Sequence, residues 1–414
     1  MRRYLSGFKF SKEIIILSIY DCLNGTGNSK PRWTRKDTAY FLADYSIKYA
    51  RMHNFDGKVD RHEVARNVHQ ILQVRENRIR FKRLIEYIAE ELYKEIDERR
   101  IELDPIRYQL RLDSSSNKIR LIGLASIKQQ VYDHIVVRVC RQMFMNKVDK
   151  YQCASIPGRG QLFGKSAIET WIRTNLKQCR WVWKGDIRKF YPSIPHDKLK
   201  ELLRRDIKND DVLYVVFYLI DTYGAIGLCI GSYLSQFLAN YYLSYAFHYL
   251  NEKCFVTRRN RRTGEVKNIT LTSHRIFYMD DMLLFSPNKK HLKKCVNMLE
   301  KYVNDELNLE IKAGHQLFPL DSRPIDMMGY KIYTYKTTIR KGTFCRMNRI
   351  LVKCKDTDYR ITIQMARSMM SYKGYLDHTN SQKYRAKMKF DRSSKKAKGV
   401  IKYENYCRVL RTSA

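Results

Sequence analysis

Three observations predict an α+β fold: helical spacing of apolar residues over the first hundred positions, apolar strands with turn-separated hairpins in the middle, and a basic helical tail. With 414 residues, 44% of them hydrophobic, the chain can build two or three packed units around real cores. In the first unit, Arg80 to Leu103 sets Ile and Leu at helical spacing among charges. A polar turn over Asp113 to Lys118, between Tyr108 to Leu112 and Ile119 to Leu124, predicts a hairpin, and Ile127 to Met143 a helix. The apolar run from Trp181 to Ile194 ends in a Pro-bounded turn, and Asp197 to Arg205 is the next helix. A Gly-rich loop, Tyr223 to Gly231, opens a long aromatic helix through Leu250. Thr263-Gly264 marks the turn of a second hairpin, beyond which Arg275 to Phe285 is strongly apolar and strand-like. Asn288 to Asn308 is amphipathic helix, Met327 to Ile339 strand-like, and the last eighty residues are basic helix with a Ser-Lys-rich interruption at Ser393 to Lys398. Internal repeats are absent.

A formal charge of +37 calls for a polyanionic partner, because a cation this strong repels itself unless neutralised. Nucleic acid meets that need better than a membrane. Apolar runs fall short of the roughly 18 residues a spanning helix needs, and Glu13 to Tyr20 is too short and badly flanked for a signal peptide. A cytoplasmic location without a membrane partner is therefore expected. Ten cysteines stand singly, with no CxxC pair or Cys/His cluster at zinc spacing, so reduced, buried thiols are expected.

The sharpest chemical signal is Tyr278-Met279-Asp280-Asp281, set between Arg275-Ile276-Phe277 and Met282-Leu283-Leu284-Phe285. Adjacent carboxylates in an apolar segment repel strongly unless something cationic sits beside them, and a tight strand-turn-strand would present the pair to divalent metal. A second carboxylate, Asp186, ends the apolar run Trp181-Val182-Trp183-Lys184-Gly185. Two metal ions that activate an attacking oxygen and stabilise a leaving one need such a second carboxylate strand. By contrast, Gly164-Lys165-Ser166 fails as a phosphate loop, because the required earlier glycine is Arg159.

With both carboxylate segments present, in this order and about ninety residues apart, the chain resembles the palm of reverse transcriptases, and more narrowly a prokaryotic one. The resemblance extends to Gly227-Leu228-Cys229-Ile230-Gly231-Ser232-Tyr233-Leu234-Ser235-Gln236, which is similar to the element that packs on the template and the incoming nucleotide. Its Ile-Gly-x-x-x-Ser-Gln pattern is typical of diversity-generating retroelements and related bacterial enzymes, although Cys229 stands where a proline is common. Gly231 would let backbone approach a base pair, with Ser235 and Gln236 offering hydrogen bonds. Lys118 to Ile122 and Ser155 to Gly160 resemble fingers elements that grip the triphosphate, which makes Arg120 and Arg159 the candidates. Gly329-Tyr330 resembles a primer-grip turn, and Ser371 to Asn380 a thumb helix.

The resemblance implies a right-hand polymerase: a helical N-terminal extension over 1–100, fingers over 101–180, a palm over 181–335 and a basic thumb and tail over 336–414. It implies two Mg²⁺ ions, or Mn²⁺, at Asp186, Ile187, Asp280 and Asp281, and dNTP contacts at Arg120, Arg159, Tyr191, Gly231 and Gln236. Tyr191 occupies the position where the family excludes a ribose 2′-OH. Nucleic acid is expected at Ser235, Gly329 and Tyr330, and along the hairpin arms Arg258, Arg259, Arg261, Arg262 and Lys267. The lysine that related polymerases use to protonate pyrophosphate is replaced in register by His315, with Lys312 the alternative if the loop is shifted. The expected activity is RNA-directed DNA synthesis on an RNA template or noncoding RNA, from a DNA primer, in phage defence or retroelement diversification. An accessory protein or homo-oligomer is a further expected partner. The rivals are untemplated or protein-primed synthesis and a catalytically silent RNA-binding scaffold.

Overall fold

The fold is described from a computed structural model, for residues 4–25, 31–113, 118–355 and 360–413. It is α+β, as expected. Four helices open the chain: α1 (Lys12–Asn24), α2 (Lys36–Met52), α3 (Arg61–Gln73) and α4 (Lys82–Asp97). Side chains start two of them, since Ser11 accepts from the Ile14 amide and Asp60 from that of His62. The expected hairpin follows as β1 (Arg107–Asp113) and β2 (Lys118–Leu124), with residues 114–117 of its turn outside the described ones. Next come α5 (Ile127–Lys147), the two-residue β3 (Gln152–Cys153), α6 (Gln161–Thr174) and β4 (Trp181–Asp186). Three helices, α7 (Phe190–Ser193), α8 (His196–Asp206) and α9 (Asp210–Asp221), lead to the long α10 (Tyr233–Glu252). The second hairpin is β5 (Phe255–Arg259) and β6 (Val266–Thr270), with Gly264 at φ +75° in its turn.

The apolar stretch 275–285 folds back on itself as β7 (His274–Tyr278) and β8 (Asp281–Ser286), and α11 (Lys289–Asp305) and β9 (Gln316–Pro319) follow. These strands complete a five-stranded sheet of order β3-β7-β8-β4-β9. β3 pairs parallel to β7 and the other pairings are antiparallel. A small sheet of β10 (Ile325–Met327), β11 (Tyr330–Ile332) and β12 (Thr337–Ile339) stands beside it. The chain ends in α12 (Lys341–Lys355), α13 (Ile363–Asp377), α14 (Gln382–Lys387) and α15 (Phe390–Ser413).

Strand alternation sends each sheet residue to one of two cores. Trp183, Phe277, Met282 and Leu284 join the larger core, with α5, α8, α9, α10 and α11. The N-terminal helices bury Ile15, Ile19, Leu42, Ile88 and Leu92 in that same core, so they pack as part of one body with the sheet. Val182, Leu283 and Phe285 face the second core, with α6 and the small sheet. A third core joins α12, α13 and α15.

One expectation is corrected. Ser393 to Lys398 does not interrupt the tail but lies inside α15, because Ser393 and Ser394 turn inward. Ser393 Oγ donates to the Cys354 carbonyl at 2.9 Å, which meets its polarity without breaking the helix. The ten cysteines are free thiols, eight of them buried. Among the described residues no helix is long and apolar enough to cross a membrane.

Candidate active site

Asp186 ends β4 directly opposite Asp281, the first residue of β8, so both carboxylates leave the same face of the sheet. Asp280 sits in the two-residue turn between β7 and β8, closed by the Tyr278–Asp281 pair. That turn needs a left-handed first residue, and Met279 supplies it at φ +53° without being glycine. The Met279 amide is held by the Cys153 carbonyl of β3 at 3.2 Å, so the short parallel strand stabilises the strained turn. Burial, and then a hydrogen bond and charge from Asp186, push the Asp280 carboxyl up to about 7. Burial raises that of Asp281 as well, with Lys184 opposing and Asp186 adding to the rise.

Crowded carboxylates that retain a proton are a place where a cation would be bound in its stead. Among the described residues no group of three or more His, Cys, Asp or Glu side chains is preassembled as a metal cage. The adjoining Asp186 and Asp280 carboxyls, with Asp281 opposite Asp186, are oxygen donors of the kind that Mg²⁺ takes one or two at a time, so the donor chemistry fits the expected ions. Ile187 is fully buried, so only its carbonyl could serve, and the bridge to Ile311 does not use it: the bonds run from the Arg188 amide to Glu310 and from the Lys312 amide to Asp186.

The two candidate proton donors fall on opposite sides of β4. The Lys312 amide donates to the Asp186 carbonyl at 2.9 Å and its ammonium touches the Asp186 carboxylate. His315 instead lies behind the strand, where Nδ1 accepts from the Trp183 indole at 2.9 Å and Nε2 meets Glu300 at 2.9 Å. Both ring nitrogens are thus engaged away from the carboxylates, which places His315 outside the cleft.

The loop before α10 gathers several other candidates. Its Leu228 amide donates to the Tyr191 carbonyl at 2.8 Å and its Ile230 carbonyl accepts from Gly123 of β2 at 2.8 Å. Gly231, at φ +120°, has no room for a side chain, because a Cβ would lie 2.6 Å from the Gly123 carbonyl. The close approach Gly231 permits is thus to β2. A Cβ on Gly123 would in turn strike the Cys229 sulfur, so that thiol fills the niche beneath the strand. Tyr191 is near Asp280, whose charge adds to the burial that raises its phenol. Gln236 remains partly exposed one residue past Ser235, which is fully buried and out of reach of any strand. Arg120 lies exposed on β2, 3.2 Å from Asp113. Arg159 is drawn away, since its guanidinium donates to the Val148 and Asp149 carbonyls at 3.2 and 2.7 Å.

At the second turn, Met328 and Gly329 both take positive φ, and Tyr330 behind them is buried against Tyr375. A Gly329 Cβ would lie 3.0 Å from the Tyr375 hydroxyl, and Gln161 donates to the Met328 carbonyl. Backbone, not the Tyr330 ring, is therefore what remains partly exposed at this turn. Arg258, Arg259, Arg261, Arg262 and Lys267 are all exposed on the β5–β6 hairpin, and no carboxylate pairs with them among the described residues. Arg258 stands directly opposite Lys267, a like-charge pair that a polyanion would relieve.

Two residues escaped the sequence reading. Lys184 donates to the Asp326 carbonyl at 2.6 Å and lies 3.8 Å from Asp281, tying the carboxylate face to β10. Asp133 of α5 is fully buried and accepts from the Ser232 hydroxyl and the Tyr233 and Leu234 amides, anchoring the start of α10. An acidic residue amid Val131, Ile135, Val136 and Val137 was the available signal.

Residues 112–332 match the family model described as reverse transcriptase (RNA-dependent DNA polymerase). A curated relative, described as a 91 kDa protein in the cob intron of Schizosaccharomyces pombe, is 30% identical over 153 residues, covering 35% of this chain. The match spans 18% of that relative's length. Among solved structures, telomerase from Candida albicans, in complex with a TWJ fragment of telomeric RNA, is similar over 70% of this chain and 59% of its own, at 11% identity and a TM-score of 0.41.

Proposed function

The chain belongs to the reverse transcriptase (RNA-dependent DNA polymerase) family, and on that premise we propose that it extends a DNA primer on an RNA template with dNTPs. The observation that carries this reading is Asp186 opposite Asp281, with Asp280 hydrogen-bonded to Asp186, in a chain of formal charge +37. Asp186, Asp280, Asp281 and the Ile187 carbonyl would hold two Mg²⁺ ions, or Mn²⁺. When bound, such ions activate the attacking 3′ oxygen and stabilise the charge on the leaving pyrophosphate. Lys312 is the residue we assign to proton delivery to that pyrophosphate, because its ammonium already lies at Asp186. Tyr191 excludes a ribose 2′-OH, and Gln236 with Arg120 faces the incoming nucleotide.

The finer reading is that the template is a dedicated structured RNA, in phage defence or in retroelement diversification. The unpaired cations of the β5–β6 hairpin and the Ile-Gly-x-x-x-Ser-Gln element support an RNA-guided bacterial enzyme. Residues 1–100, 101–180, 181–335 and 336–414 serve in this reading as extension, fingers, palm and thumb. Primer extension on an RNA template tests it: incorporation should require Mg²⁺ or Mn²⁺ and follow the template. In Asp280→Asn it should fall by roughly 10³ or more, with RNA affinity unchanged. Undiminished incorporation by that variant sinks the assignment.

A further inference from the structure

The β11–β12 turn, Tyr333 to Lys336, is closed by the Tyr333 amide donating to the Lys336 carbonyl at 2.8 Å. It points two aromatic rings outward, with centroids 5.8 Å apart. Tyr335 is 74% exposed, an unusual position for a ring that nothing in the fold covers. Lys336 holds its ammonium 5.0 Å from the Tyr335 ring and 5.5 Å from that of Tyr333. Across a cavity of about 570 Å³ stands the C-terminal half of α6, with Thr170 and Arg173 on the wall.

The floor of this cavity is built, not incidental. Glu169 accepts from Thr337 Oγ1 and from Lys165 at 2.8 Å, so its charge is already met. The Thr337 amide donates to the Asn380 side chain at 2.8 Å, and the Asn380 amide returns a bond to Thr337 at 3.0 Å. Arg173 and Lys336 are exposed, and no carboxylate pairs with them among the described residues. The site thus offers flat π surfaces, hydroxyls and two unneutralised cations. None of Asp186, Asp280, Asp281 and Lys312 lines it, so it is distinct from the carboxylate site.

We propose that this cavity is a second nucleic-acid site, where a base of a single strand stacks on Tyr333 and Tyr335 and its phosphates meet Lys336 and Arg173. Stacking tolerates any base, and a duplex could not present one; an acidic peptide would leave both rings unused. The proposal rests on the reverse-transcription reading only in taking the strand to belong to the enzyme's template or product.

Binding is measured on the full chain without dNTP or divalent metal, using oligo(A) RNA and oligo(dA) DNA carrying a photoreactive base. Crosslinks should map to Tyr333 or Tyr335. Tyr335→Ala should cut that crosslink and weaken binding of the preferred strand roughly tenfold, while Tyr335→Phe, which keeps the stacking face, should bind as wild type. Arg173→Gln with Lys336→Gln should flatten the slope of log affinity against log salt by roughly 0.7 per lost contact. RNA preference would identify template, and DNA preference product. Primer extension on a saturating, pre-annealed duplex should be unchanged in Tyr335→Ala, so failed catalysis and a failed site are read separately. Wild-type crosslinking and affinity in Tyr335→Ala, or equal losses in the Phe and Ala variants, would overturn the proposal.

Discussion

The two faces of β4 are built from alternate residues of one six-residue strand, yet they obey opposite rules. Lys184 and Asp186 project to the face shared with Asp281 and Lys312, where polar groups meet polar groups and a carboxyl is pushed up in proton affinity. Trp183 projects to the other face, fully buried, with its indole N–H satisfied by His315. Gly185 shares that packed face, and a Cβ there would come within 2.2 Å of the Trp183 ring. The residue before the carboxylate is therefore glycine to seat a tryptophan behind it. Chemistry on one face depends on close packing on the other, and a side chain's function follows from its parity in the strand.

Lys312→Gln should break the contrast most, cutting single-turnover incorporation by roughly 10² with nucleotide affinity little altered. A full rate in that variant would leave water as the proton source. Asp133 gives a control buried away from both faces. Burial raises its carboxyl to about 6, against the Ser232, Tyr233 and Leu234 hydrogen bonds and the Arg32 charge that lower it. The folded state holds this proton to higher pH than the unfolded chain does, so stability should drop as pH rises from about 4 to about 6, by on the order of 3 kcal/mol. Neighbouring His134, pulled down to about 3 by burial, acts oppositely, losing stability on acidification below its ordinary range. Across pH 4 to 6 the two slopes oppose each other, so denaturant unfolding should show stability rising more steeply with pH in Asp133→Asn than in wild type; parallel profiles would mean that Asp133 does not titrate there. Gly185→Ala should cost roughly 1–3 kcal/mol by displacing Trp183, a loss measurable by thermal unfolding. His315→Gln should change least, about 1 kcal/mol from the Trp183 and Glu300 bonds, with the pH profile of incorporation unmoved. A hundredfold loss of chemistry there would return the proton to His315.

The carboxylates were legible because a charge at the end of an apolar strand adds nothing to packing, and their order and separation repeat those of a known palm. The destination of long basic side chains was not. Arg159 looks like a phosphate fork in sequence, but a guanidinium binds carbonyls equally well, and only tertiary placement reveals Val148 and Asp149 as its partners. The choice between Lys312 and His315 turned on the bridge from Ile187 to Ile311, a contact between segments over a hundred residues apart. Ser235 resembled a strand contact because a helix start is ordinarily open, whereas here Asp133 and Tyr223 close over it. Ser393 to Lys398 misled by composition alone, since a serine facing a carbonyl is as much at home in a core as an alanine.

The order of the five strands also dictates when the sheet can exist during synthesis. β3 is made first and must wait for β7, about 125 residues later, before its parallel pairing forms, and β4 gains its outer neighbour only with residues 316–319. Such distant pairings form slowly, and the helices before them also await later partners, since α1 packs on α5 and α4 on α9. A nascent chain therefore holds the Cys153 carbonyl without its partner until the Met279 amide has been made. The turn that carries Asp280 thus finds its brace already in place when it emerges.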